Sequence, residues 1–364
     1  VCNIIGFQTS KLGFANMIKQ ICFLLSTTVA IACGAGQTSS SAVNVEPVGF
    51  DRIVGFTVPL RADSAELIRQ ARTAYSFNTA YLIVKQDDGF DGMLSMLDSA
   101  LDGCKANGVR AIISFSDFPV FNRREKLRTS AKAWGDTKGL DEVVAISRQI
   151  VDRYRSRGPE LLGYHFINEP LVRDGRKSSV PTTWPALAQR LEKVVETDPN
   201  RWFFYQPGPG GLAEGYLKGQ RPAGPRVAYS VNMYEPLAFT HQGIDGRASN
   251  LVYPEMINGT RWDTSRVKQT LTIAAEAGKR DGRPVVVTSF SAIIGAQGSE
   301  QYVSDVVTAA RSLGIGWIYH TLGGATEWTA RPDACASAKP ETAASPQCER
   351  VRTIERLMPL SENK

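Results

Sequence analysis

From Phe50 onward, short β-branched runs alternate with longer amphipathic segments, and this alternation limits the fold more than any other feature of the chain. The runs are Ile53–Val58, Thr79–Val84, Arg110–Phe115, Leu162–Phe166, Trp202–Tyr205, Val227–Met233, Val285–Thr288 and Ile315–Tyr319. Each has the length and apolar continuity of a parallel strand buried on both faces. The first segment between them opens at Asp63-Ser64-Ala65-Glu66, which reads as a capping box. Phe90–Asn107 follows and stops at Gly108, a helix-terminating glycine. Leu140–Arg157, Trp184–Glu196, Thr264–Gly278 and Ser299–Leu313 repeat the helical spacing. Eight strands, each feeding a helix over about 310 residues, predict an α/β chain folded as a single-domain (β/α)8 TIM barrel. The rival is an open doubly wound sheet, which normally has a Gly-rich phosphate turn after its first strand. Thr57-Val58-Pro59-Leu60-Arg61 is no such turn. No internal repeat or interior linker divides the predicted barrel.

The residues before Phe50 follow different rules. Lys19 lies just after Met17, an apolar run extends from Ile21 to Ala32, and Ala30-Ile31-Ala32 supplies small residues at its end. This is the pattern of a secretory signal, and the run falls short of the roughly 20 residues that span a bilayer. The expected organisation is a leader over 1–32 with its true start at Met17, a flexible tether over 33–49, and the barrel over 50–364. Cys33 directly after Ala32 resembles the lipidated cysteine of a bacterial lipobox, although Ala30 stands where Leu is usual. Simple cleavage after Ala32 is the alternative. Either way the chain is expected to be exported in a bacterium, as a periplasmic protein, an outer-membrane lipoprotein or an extracellular one. Its only membrane attachment would be the lipid at Cys33.

Loss of the leader removes Lys11 and Lys19 and lowers the formal charge from +6 to +4. The remaining basic residues are scattered, so nucleic acid is not an expected partner. A monomer is expected. Cys104 falls in a helical pattern and reads as a buried free thiol. Cys335 and Cys348 bracket a Pro/Ala/Ser-rich stretch, and export makes a disulfide between them the expected pairing. No CxxC pair or His cluster points to a metal, and no cofactor is implied.

Chemistry in a TIM barrel sits at the C-terminal ends of the strands. The fourth run ends in Phe166-Ile167-Asn168-Glu169-Pro170. Pro170 halts the ladder, Glu169 brings a carboxyl group to the barrel mouth, and Asn168 can bond a ligand or orient that acid. The sixth run continues as Tyr234-Glu235-Pro236 and then Phe239-Thr240-His241-Gln242-Gly243; Asp198-Pro199-Asn200-Arg201 leads into the fifth, and Gly316-Trp317-Ile318-Tyr319 forms the eighth. Taken in order, these motifs resemble family five glycoside hydrolases, the cellulase family, from about Phe50 to Leu360. The resemblance implies cleavage of O-glycosidic bonds in a β-linked oligo- or polysaccharide, with Glu169 as general acid/base. Such enzymes use a second carboxylate, about 5–5.5 Å away, as nucleophile.

That second carboxylate is missing. The family carries it at the end of strand seven, usually in Glu-Phe-Gly, where this chain reads Ser289-Phe290-Ser291. A serine hydroxyl has no charge to balance an oxocarbenium-like transition state, and it is a poor nucleophile without a base. By the same resemblance, Tyr81 stands for the strand-two Arg and Ser116 for the strand-three His. Asn232 stands for the strand-six His and His320 for the strand-eight Trp that floors the sugar site, while Tyr234 is retained. Asp117 is the one substitute carboxylate to consider. Trp328, in the loop after the eighth run, is the candidate sugar platform; His165 reads as a core histidine and His241 as a loop-structural one.

Two functions fit these residues. One is a hydrolase with Glu169 as acid and an altered or missing nucleophile at Ser289, acting through Asp117 and water or through a 2-acetamido group of the substrate. The other is a catalytically inactive barrel that binds carbohydrate or serves as a scaffold at the cell envelope.

Overall fold

The computed structural model describes residues 49–84, 89–115, 118–121, 129–175, 177–244, 246–336 and 345–358. The leader, Cys33, most of the tether, Ser116 and Asp117 lie outside the described residues. Eight strands close into one barrel: β1 (Val54–Pro59), β2 (Thr79–Val84), β3 (Arg110–Phe115), β4 (Leu161–His165), β5 (Trp202–Tyr205), β6 (Val227–Met233), β7 (Val285–Phe290) and β8 (Gly316–Tyr319). All neighbours pair in parallel, and β1 pairs with β8 to close the ring. The predicted (β/α)8 barrel is therefore the fold.

Alternating residues of the strands divide the core in two. One set packs inside the ring as Tyr81, Ile112, Leu162, Phe204, Ala228, Val286 and Ile318, with Ile53 just ahead of β1. The other faces outward, where Phe56, Val58, Leu82, Val231 and Val287 meet the apolar faces of the helices. Full burial of such side chains stabilises the fold by roughly 1.5–3 kcal/mol each. Close strand approach requires Gly163 in β4, because a Cβ there would lie 2.1 Å from the Trp202 carbonyl oxygen.

Several local expectations change in the folded chain. Asp63 does not cap the helix Ser64–Ala74, because its carboxylate is held by the Arg61 guanidinium at 2.9 and 2.6 Å. Glu66, the other half of the expected capping box, bonds Arg69 and Gln70 instead. A fork-shaped cation outcompetes a backbone amide for each acid. The connection from β5 to β6 carries only a 3-10 turn, Ala213–Leu217, where the alternation pattern demanded a helix. Two small hairpins, Val172–Asp174 with Lys177–Ser179 and Glu255–Ile257 with Thr260–Trp262, decorate the mouth loops after β4 and β6. β7 runs two residues further than its β-branched stretch, so Ser289 lies inside the strand.

A helix at Pro346–Leu357 follows β8 and is tied by a Cys335–Cys348 disulfide to the loop before it. It carries Arg350, whose side chain is fully buried. The Arg350 Nε lies 2.8 and 2.9 Å from the two Glu300 oxygens. Its Nη1 donates to the Tyr319 hydroxyl at 2.6 Å, to Ser291 Oγ at 3.3 Å and to the Ala292 carbonyl at 3.1 Å. Burial works against its charge, yet Tyr319 and Glu300 hold the guanidinium above its ordinary value.

Candidate active site

The site is assembled where β4, β5, β6, β7 and β8 end. Beyond β4 the chain turns sharply at Glu169, whose φ of 54° is left-handed. That conformation costs a residue with a Cβ roughly 1–2 kcal/mol. Neighbouring groups hold it there: the Glu169 N–H donates to Gln206 Oε1 at 2.5 Å, and the Gly210 N–H donates to the Pro170 carbonyl at 3.1 Å. Asn168 and Glu169 stay half-exposed at the mouth. Asn232 Nδ2, from β6, donates to Glu169 Oε1 at 3.0 Å.

Gln206 follows β5 directly and is fully buried. Its Nε2 donates to Asn232 Oδ1 at 2.9 Å, and its main-chain carbonyl accepts the Trp184 indole N–H at 3.1 Å. Gly211, at φ 76°, packs against this amide, and a Cβ there would lie 2.4 Å from Gln206 Cδ. Gln206 was not among the residues singled out by sequence. Its signal was present all the same: a polar residue ends an apolar strand just before Pro207-Gly208-Pro209-Gly210-Gly211, the kind of strand end that drew attention to Asn168.

At the opposite side, β7 slips in register against β6 between Val287 and Ser289, which sets Ser289 opposite Asn232. The odd residue of this bulge, Thr288, bonds Ser230 within the barrel at 2.5 Å. Ser289 is half-exposed, and its Oγ lies 2.5 Å from the Tyr234 hydroxyl. Burial pushes the Tyr234 phenol well up; the Ser289 hydrogen bond opposes that and the Glu169 charge adds to it. The phenol therefore stays protonated.

His320 follows β8, precedes a cis peptide to Thr321, and bonds Thr57 Oγ1 of β1 through Nδ1 at 2.7 Å. Its ring is one of four aromatic rings in circuit: Tyr234–His241 at 5.1 Å, His241–Trp328 at 5.2 Å, Trp328–His320 at 6.0 Å and His320–Tyr234 at 6.4 Å between centroids. Trp328 is half-buried there, and its indole N–H donates to the Thr240 carbonyl at 3.3 Å. His241 is thus a wall of the site as well as a loop residue.

Tyr81 and Asn232 occupy deeper positions than a sugar-touching role suggests. Tyr81 is 2% exposed, with its hydroxyl between His165 Nδ1 at 2.5 Å and Ser114 Oγ at 2.8 Å. Asn232 is 1% exposed and committed to Glu169 and Gln206. Among the described residues, no cluster of three His, Cys, Asp or Glu could hold a metal ion.

A sequence model of the family described as Cellulase (glycosyl hydrolase family 5) matches residues 61–326. The chain belongs to this family. The matched span of family 5 runs from the end of β1 past β8 and contains Glu169, Tyr234 and Ser289. No curated protein sequence matches the chain. Solved structures similar to this family 5 barrel include cellulose synthase subunit Z of Clostridioides difficile, 14% identical over 82% of this chain and 98% of that one, with a TM-score of 0.64. The endoglucanase Cel5A of Thermotoga maritima is 15% identical over 82% and 96%, with a TM-score of 0.63. A structure described as a glycoside hydrolase is 18% identical over 76% and 90%, with a TM-score of 0.63. At these identities the likeness is one of fold.

Proposed function

We propose that this family 5 barrel takes a β-linked glycan across its mouth and cleaves an O-glycosidic bond with Glu169 as general acid, without a glycosyl-enzyme intermediate. The observation that carries this reading is the contrast between two strand ends: a carboxyl group held by Asn232 beyond β4, and a hydroxyl pair, Ser289 with Tyr234, at β7. A covalent route needs a nucleophile, and Ser289 would need a base to become one. Its hydrogen-bond partner is a protonated phenol, which is no base. Two routes need no enzymic nucleophile, a 2-acetamido group of the substrate and water, and the one we favour is attack by water on the anomeric carbon while Glu169 protonates the departing oxygen. Inverting enzymes of this kind keep their two carboxyl groups about 6.5–9.5 Å apart to admit the water. We assign the base that takes the water's proton to Asp117. The circuit of Tyr234, His241, Trp328 and His320 supplies flat faces on which a sugar ring stacks.

Solved relatives guide the choice of substrate: the Thermotoga maritima enzyme is described in complex with cellobiose and with mannotriose. We propose β-glucans and β-mannans first and acetamido-sugar polymers second. Export fits polymeric substrates, and the Cys335–Cys348 bridge suits an oxidising compartment.

The hydroxyl pair at β7 also favours a second reading, binding without cleavage. Product release from a panel of these polymers, with binding measured in parallel, separates the two. Turnover lost in Glu169→Gln by at least about 10²-fold, the size of a general-acid contribution, and nearly unchanged in Ser289→Ala supports the hydrolase. Binding with no products supports the second reading. Turnover that survives Glu169→Gln but dies with Ser289→Ala refutes the assignment of roles.

A further inference from the structure

The amides of Gln206 and Asn232 form a chain whose direction is set by a group with no choice. A backbone N–H can only donate, so the Glu169 N–H obliges Gln206 to face it with Oε1. Gln206 Nε2 then points to Asn232, and Asn232 must answer with Oδ1. Asn232 Nδ2 is left to face Glu169 Oε1. The sequence of donors leaves the Glu169 backbone, passes through two buried amides and returns to the same residue's carboxyl group. No exposed rotor interrupts it: Gln206 is fully buried, Asn232 is 1% exposed, and Gly211 closes against the Gln206 amide.

The consequence is chemical. In a neutral carboxyl the carbonyl oxygen is the better acceptor, and a proton cannot point at a donor. The Asn232 N–H therefore favours the neutral form of Glu169 whose proton is on Oε2, away from Asn232. We propose that Gln206 is a positioning residue that fixes which oxygen of Glu169 carries the transferable proton. This inference rests on the role given to Glu169 above. Gln206 touches no substrate; it acts through the Glu169 backbone and through Asn232.

Gln206→Glu tests it with nearly unchanged shape. The introduced carboxylate still accepts the Glu169 N–H, so the left-handed turn keeps its support. While ionised it has no proton to give, so Asn232 turns its Nδ2 to position 206 and its Oδ1 to Glu169; a neutral carboxyl there would donate as the amide does, so kcat is compared at the alkaline end of the active range. The acid proton then faces Asn232 instead of the leaving oxygen. In the full chain, we expect kcat on the best glycan of the panel to fall by about 10²-fold, the lower range of a general-acid contribution, with KM changed less than about threefold. A merely structural role for Gln206 would lower the melting temperature and leave the kcat-to-KM split untouched.

A second measurement does not need turnover. In the otherwise unaltered chain, the side-chain amide protons of Asn232 should shift in the NMR spectrum when Glu169 is replaced by Gln, because they face that carboxyl group. In the Gln206→Glu background, the same replacement should leave them unmoved. An Asn232 amide that responds equally in both backgrounds overturns the proposal. If no glycan is cleaved, the hydrolase reading falls, and the amide experiment still decides whether Gln206 sets the direction of the chain. Gln206→Leu, which removes the side-chain bonds to the Glu169 N–H, Asn232 and Ser230, provides the variant in which loss of folding is read separately by thermal unfolding.

Discussion

Arg350→Met is the perturbation whose cost can be worked most directly from the structure. Methionine replaces much of the apolar stem but none of the donors. It strands the Glu300 carboxylate, whose side chain is 15% exposed, and takes one donor each from the Tyr319 hydroxyl, Ser291 Oγ and the Ala292 carbonyl. Removing one partner of a buried ion pair typically costs 3–5 kcal/mol, chiefly because the other charge is left uncompensated. For a barrel of about 300 residues, each kcal/mol lowers the melting temperature by about 1.6 °C. The expected drop is therefore about 5–8 °C by calorimetry, with the free-energy loss itself read by urea unfolding. The double variant Arg350→Met with Glu300→Leu should recover part of it, since no charge is then stranded. The Tyr319 hydroxyl also donates to the Trp328 carbonyl at 2.7 Å. Trp328 fluorescence should therefore become easier to quench in the single variant. A loss below about 1 kcal/mol, or a double variant as unstable as the two singles added together, would refute the reasoning.

Two other outcomes follow from titrating groups. Asp281 is held at a pKa of about 2, first by Arg280 and then, against the cost of burial, by the Tyr229 hydroxyl and Arg221. Its folded value lies below its unfolded one, so its contribution is present above about pH 4 and lost as the pH falls towards 2; Asp281→Asn should flatten the acid limb of a stability-against-pH curve in that window, and an unaltered limb would count against the assignment. Burial raises the Cys104 thiol to about 12. It should resist iodoacetamide at pH 8 in the folded chain and react at once in denaturant, and prompt labelling without denaturant would contradict its placement.

Eight strands could be read from the sequence because each is a continuous apolar run and all but the β1–β8 pair join strands consecutive along the chain. Glu169 was legible for a related reason: an apolar run that stops at a carboxylate and a proline carries its signal within four residues. The end of β5 marks the place of Gln206, but the roles of Gln206 and Arg350 were not legible, since each is set by side chains far off in sequence. Gln206 meets Glu169 37 residues away, and Arg350 meets Ser291 59 residues away. The failed capping box shows the converse limit: Asp63 and Glu66 had the correct spacing, and nearby arginines claimed both. Asn232 lies at the end of β6 and Tyr81 within β2, and only depth in the barrel distinguishes a residue that meets a sugar from one that holds its neighbours.

The join between β1 and β8 has a bearing on time as well as on shape. Thr57 and His320 meet across it from 263 residues apart, and the Leu322 N–H and Thr321 hydroxyl both reach the Thr57 carbonyl there. The join runs through the mouth of the barrel, beside the rings on which a sugar would lie. A chain emerging from the ribosome has the Glu169 turn complete long before this seam can be drawn shut. Contacts of such sequence separation form late, because the loop entropy must be overcome before they form. A nascent or refolding chain would thus have its Glu169 turn before its seam, and any property that needs the closed mouth, the proposed glycan binding included, would appear last.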